Sequence, residues 1–161
     1  MTDGEKFNLE AARQLVIGEI PSRNARKSPD REALIFGDQR ITWRQLDEVS
    51  NRLGNALLSR GVKQGDKVAI LMRNRQEIIA TYFAVAKLGA VSVPINFRLA
   101  PREIAHMIAN SDSKIVILEG FFLETIGKIR NDLPLIERYI VLDGQGEKGD
   151  EGYADLLSQG T

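Results

Sequence analysis

Four short runs of almost wholly apolar residues constrain this chain most: KVAILM (67–72), AVSVPI (90–95), KIVILE (114–119) and RYIVLD (138–143). A strand with one wet face alternates polar and apolar residues, whereas one covered on both faces reads as a continuous apolar run. The segments between the runs change period. Ile78, Ile79, Tyr82, Phe83 and Ala86 recur at helical steps and end at Gly89, and Asn74 with Glu77 has the spacing of a helix cap. Pro101 suits a first helical turn, with Ile104, Met107 and Ile108 as its buried side. Phe122, Ile126 and Ile129 mark another helix, weakened by Gly127. Strands alternating with helices imply right-handed crossovers and a doubly wound, mostly parallel sheet flanked by helices, so the fold class is α/β.

Upstream, Leu9, Ala12, Leu15, Val16 and Ile20 suit an amphipathic helix that ends before Pro29. Two short β-prone runs around Gly37-Asp38-Gln39 predict a small hairpin. Thr42 and Gln45 form a capping-box pair at the head of a helix whose apolar face is Trp43, Leu46, Val49, Leu53 and Leu57, with Gly61 at its end. Residues 1–161 are expected to be a single α/β unit, and 143–152, rich in glycine and charge, an exposed loop.

Composition removes whole classes of chemistry. Lys and Arg total 22 against 22 Asp and Glu, so no net field draws the chain to nucleic acid or an anionic membrane. No cysteine is present and His106 is the only histidine, which excludes thiolate chemistry, disulfides and a histidine cluster for a metal. No apolar run is long enough to be a transmembrane segment, and the acidic N-terminus does not read as a secretory signal, so the expected compartment is the cytoplasm.

Each candidate for chemistry has a plainer explanation. Gly144-x-Gly146-x-x-Gly149 spells the dinucleotide fingerprint, but Glu147, Lys148, Asp150 and Glu151 crowd it where a helix should hold the pyrophosphate. His106 lies mid-helix with no second ligand or base nearby. Arg73, Arg75, Arg98 and Arg102 could meet an anion at the carboxyl ends of strands, though solvated charge is the simpler reading. Trp43, Phe83 and Phe121-Phe122 sit where aromatic residues fill a core. No residue is assigned a catalytic, cofactor-binding or metal-ligating role.

The stretch AVAKLGAVSVPINFRLAPREIAHMIANSDSKIVIL, preceded by PDREALIFGDQRITWRQLDEVSNRLGNAL and GVKQGDKVAILMRNRQEIIATYFAVAK, resembles the N-terminal part of the adenylate-forming enzymes, the acyl-CoA synthetases. The likeness runs from about Leu9 to Leu142, and "PINFRL" favours the CoA ligase branch over peptide-synthetase adenylation domains. Gly89, Pro94 and Asn96 within it shape turns and a strand end rather than perform a reaction. One departure is Ala100, where relatives often place Thr or Ser as a helix cap.

The resemblance implies a parent enzyme that activates a carboxylate, in particular a fatty acid, with ATP and Mg²⁺ and passes the acyl group from an acyl-adenylate to CoA. It also implies a Ser/Thr/Gly-rich phosphate loop, an aromatic-Thr-Glu segment, a ribose-binding Asp and a catalytic Lys, and none of these motifs occurs in the chain. The expectation is an N-terminal fragment, inactive alone, whose partner is the rest of the parent chain and whose uncovered face could form a homodimer. Rival readings are a non-catalytic α/β binding or scaffold module and a flavodoxin-like or receiver domain; Arg73-Asn74-Arg75 after KVAILM disfavours a receiver, which needs acidic residues there.

Overall fold

A computed structural model describes residues 16–160. A 3-10 turn, Ile17–Glu19, leads into α1 (Ile20–Lys27), which stops before Ser28, the non-helical residue preceding Pro29. Leu9, Ala12 and Leu15 of the expected N-terminal helix lie outside the described residues, while Val16 and Ile20 are 55% and 40% exposed rather than buried. Strands β1 (Glu32–Phe36) and β2 (Gln39–Thr42) form the antiparallel hairpin, turned by Gly37 at φ 56°.

Helix α2 (Trp43–Ser59) begins with the expected capping box: Gln45 N–H donates to Thr42 Oγ1 at 3.3 Å and Thr42 N–H donates to Gln45 Oε1 at 2.9 Å. Gly61, at φ 88°, reverses the chain after it. There follow β3 (Lys67–Leu71), α3 (Gln76–Lys87), β4 (Val91–Pro94), α4 (Pro101–Asn110) and β5 (Ile115–Glu119). After a 3-10 turn come α5 (Leu123–Ile129), β6 (Arg138–Leu142), β7 (Glu151–Gly152) and α6 (Tyr153–Gln159).

The main sheet is parallel throughout, in the order β4-β3-β5-β6-β7. Val68, Ile70, Ile115, Ile117 and Ile140 point to the layer of α2, α3 and α6; Ala69, Leu71, Val116, Leu118 and Val141 point to the layer of α4 and α5. The apolar runs of β3, β5 and β6 are therefore buried on both faces, as doubly wound topology requires, whereas the run of β4 is not: at the sheet edge Val91 is 46% exposed and Ser92 and Val93 only half-buried. Pro94, which cannot donate to a ladder, ends the edge strand β4. The short β7, paired through Ile140 with Glu151 and Val141 with Gly152, has no apolar run to announce it.

Other local expectations also fail. The residues of α3 that bury themselves are Ala80, Thr81, Ala84 and Val85, while Ile78, Ile79, Tyr82, Phe83 and Ala86 are half-buried. Helix α3 lies against both the sheet and α2, and the approach is close: a Cβ on Gly54 of α2 would sit 3.6 Å from the Ala84 carbonyl oxygen. Small residues win that face, and the large ones line its flank. Met107 is 41% exposed, with Ile104, Ala105 and Ile108 forming the buried side of α4. Arg75 rather than Asn74 is the residue at the head of α3, and no side chain caps it.

Ala100 heads α4 without a hydroxyl, and Glu103 supplies half of the cap by accepting the Ala100 N–H at 2.7 Å. Restoring the other half with Ala100→Ser should raise stability by about 1 kcal/mol in urea unfolding. Ala84→Leu should lower it by about 1–3 kcal/mol through overpacking, whereas Phe83→Ala should cost clearly less; the reverse order would contradict the assignment of the α3 faces.

Candidate functional site

Strands β3 and β5 are neighbours, but the chain leaves β3 by the α3 layer and β5 by the α5 layer. The chain reversal puts a switch-point crevice, the place where open α/β sheets bind ligands, between their carboxyl ends by topology, and side chains fill it. Leu71 pairs with Leu118 there, so Arg73 and Arg75 follow β3 at the level where Glu119 ends β5. Asp143, at φ 54°, follows β6, and Glu77 stands in the first turn of α3.

These five groups form one network. Arg73 Nε lies 3.1 Å from both Glu119 oxygens, its Nη2 also donates to Oε1, and its backbone N–H donates to Oε2 at 3.2 Å. Arg75 reaches three carboxylates: Glu77 Oε2 at 2.7 Å, Asp143 Oδ2 at 2.8 Å and Glu119 Oε1 at 3.4 Å. The Arg73 guanidinium also lies 4.6 Å from the centre of the Phe121 ring. Glu119, with a side chain only 5% exposed, is held below the usual carboxylate range, first by the Arg73 hydrogen bonds, against the opposing effect of burial. Burial pushes Glu77 up, but the Arg75 ion pair, a backbone hydrogen bond and the Gln76 amide together outweigh that and lower it; Arg75 is raised, chiefly by its bond to Glu77.

Two guanidinium groups face three carboxylates, so the crevice has no spare positive charge for a phosphate, and its carboxylates are already paired. Among the described residues no group of three or more His, Cys, Asp or Glu side chains could hold a metal ion. These residues therefore do not fit ATP or Mg²⁺, and they tie three strand ends and a helix start together.

The other candidates are dispersed. Arg98 is exposed and lies 5.6 Å from the Phe97 ring centre; Arg102 and His106 are exposed on α4. Arg75, expected to be solvated, is instead committed to ion pairs with a side chain 20% exposed, while Arg73 keeps a side chain 51% exposed and also pairs with Glu119. Of these four aromatic candidates only Phe122 fills the core; Trp43 and Phe83 are half-buried, and Phe121 is 68% exposed with the Arg73 guanidinium over its ring. The glycine-rich loop closes on itself, since Asp150 accepts the Glu147 N–H at 2.9 Å and binds Arg130 Nη2 at 2.7 Å.

A second concavity, about 290 Å³, lies between α2, α3 and α6. Ile41, Leu46, Val49, Ala80, Leu142 and Leu157 make it apolar. Tyr153 forms part of its wall; burial pushes the phenol up to about 12, and its hydroxyl lies 3.5 Å from Thr81 Oγ1.

Glu119 and Asp143 were not recognised as site residues from sequence. The available signal was an acid ending an otherwise apolar run opposite the two arginines that end the neighbouring run.

Comparison with known proteins places this architecture. Residues 21–159 match the model of the AMP-binding enzymes. The medium/long-chain-fatty-acid–CoA/3-oxocholest-4-en-26-oate–CoA ligase of Mycobacterium marinum is 34% identical over 128 residues, which is 80% of this chain and 23% of that protein. The crystal structure of an anthranilate CoA ligase in complex with anthranoyl-AMP superposes with a TM-score of 0.85 at 30% identity, over 89% of this chain and 28% of that one. The inhibitor-bound N-terminal domain of FACL13 from Mycobacterium tuberculosis gives 0.81 at 32% identity, over 91% and 36%. The chain thus spans about a quarter of the curated relative it matches.

Because the Glu119 carboxyl titrates lower in the folded chain than the unfolded value of about 4.3, its stabilisation is complete above that value and is lost as pH falls through the folded one. Glu119→Gln should cost about 1–3 kcal/mol at pH 7 and should lose less further stability than the wild type between pH 6 and pH 3. Urea unfolding across that range would contradict the network if both proteins showed the same acid dependence.

Proposed function

Since this chain belongs to the AMP-binding enzymes, we propose that it is the N-terminal part of an ATP-dependent acyl-CoA synthetase acting on a hydrophobic carboxylic acid, with a fatty acid as the first choice. The observation that carries this reading is the match over residues 21–159 to a family whose similar members include a fatty-acid–CoA ligase and an anthranilate CoA ligase.

In the parent reaction the carboxylate oxygen attacks the α-phosphorus of ATP and pyrophosphate leaves; the CoA thiol then attacks the acyl carbon and AMP leaves. ATP, Mg²⁺ and CoA belong to the parent, and the residues that hold them lie outside this chain. The part played by residues 21–159 is architectural. Its sheet fixes the positions of the strand ends, and the Arg73–Glu119–Arg75 network locks the crevice where a free-standing α/β domain would keep a ligand site open. The parent is proposed to work in the cytoplasm; none of the described helices is long and apolar enough to cross a membrane.

Purified 1–161 should give no ATP–pyrophosphate exchange with any carboxylate. The chain extended through its downstream reading frame should exchange with fatty acids and, with CoA, release AMP and form the thioester. Exchange above blank by 1–161, or an extended chain inert toward fatty and aromatic acids alike, would overturn the reading.

A further inference from the structure

The groove between α2, α3 and α6 is lined mainly by apolar side chains, with Gln45, Gln76 and Glu77 at its polar edge. Beyond Gln76 the hollow continues for about 200 Å³ between α3 and the hairpin, against Leu34, Ile35, Phe36, Ile78 and Ile79. Ile35 is 61% exposed and Phe36 47%. Gln76 lines both hollows, so the two apolar surfaces adjoin at that residue. Contiguous apolar surface of this kind marks an interface rather than a finished exterior.

We infer that this groove is the seam closed by the stretch of parent chain that follows Thr161. The inference rests on the ligase reading, since it takes the relatives' length as a guide to the parent. Three observations favour this occupant. First, the chain covers only 23% of the relative from Mycobacterium marinum, so ample polypeptide is available to cover the groove. Second, the exit is fixed beside it. The backbone at Gly160 is pressed against α2, where an added Cβ would collide with the Arg52 carbonyl oxygen, one helical turn from Val49 in the groove wall. Following residues begin next to the groove, at the high effective concentration of an intramolecular partner. Third, Gln76 Oε1 is buried without a hydrogen-bond partner. An unmet buried acceptor is costly, and a peptide segment brings N–H donors together with apolar side chains, which a hydrocarbon ligand does not.

The absence of cysteine allows a direct test. Val49→Cys and Ala154→Cys place single thiols in the groove wall, and Leu135→Cys places a control at a 55% exposed residue away from it. Alkylation of each peptide is followed by mass spectrometry in 1–161 and in the extended chain, using variants whose melting matches the wild type. The groove thiols should react at least about tenfold more slowly in the extended chain, because labelling must then wait for opening, while the control reacts equally in both. Equal groove rates in the two chains would overturn the inference. Slow groove labelling already in 1–161, with a dimer mass by light scattering, would assign the groove to a second copy and overturn it as well. An extended chain that makes acyl-CoA but leaves the groove reactive refutes the seam and spares the ligase reading; one that protects the groove yet makes no acyl-CoA does the opposite.

Discussion

Burial of β3 and β5 on both faces is the constraint from which the rest follows. Val68, Ala69, Ile70, Leu71, Val116, Ile117 and Leu118 are no more than 1% exposed. Fully burying side chains of this size contributes about 1.5–3 kcal/mol each relative to exposure, but only if a helical layer lies on either side. Parallel pairing demands crossovers, and right-handed crossovers in two directions from the sheet centre supply both layers. The same reversal brings the ends of β3 and β5 together without a covering helix. Arg73, Arg75 and Glu119 meet there, and a carboxylate as buried as that of Glu119 persists only when paired.

The two layers are unequal. On the α4–α5 side, Ile104, Ile108, Ile126 and Ile129 close over the sheet with little left open. On the other side α3 uses alanines to pack closely against the sheet and α2, and its Ile78 and Ile79 line the hollow beside the hairpin. One face reads as finished and the other as a face awaiting cover. This asymmetry fits a unit that serves as a scaffold for chemistry placed elsewhere in a longer enzyme, and it gives the crevice network a role: a locked strand edge can position neighbours without competing for nucleotide.

Most of the architecture was legible because it depends on backbone rules that single residues announce. Gly61 and Gly89 sit at positive φ where helices end, Pro101 opens α4, and the Thr42–Gln45 pair caps α2. The apolar runs gave the four longer strands of the parallel sheet for the same reason. What could not be read depended on tertiary neighbours. Periodicity identifies a helix but not which of two adjacent stripes faces inward, so Ala80 and Ala84 lost to Ile79 and Phe83 until the close approach of Gly54 was known. Arg75 looked solvated because its three carboxylate partners come from β5, the turn after β6 and the first turn of α3. The two-residue β7 carries no pattern at all.

Native-state hydrogen exchange tests the central claim most directly, namely a sheet core complete on its own beside a helical layer that lacks its cover. In 1–161 the amides of Val116, Ile117 and Leu118 should exchange only through global unfolding, while those of α6 and the β1–β2 hairpin, which border the groove, should exchange through smaller local openings. Amides of α6 and the hairpin as slow as those of β5 would show that layer to be already closed, and would contradict the account.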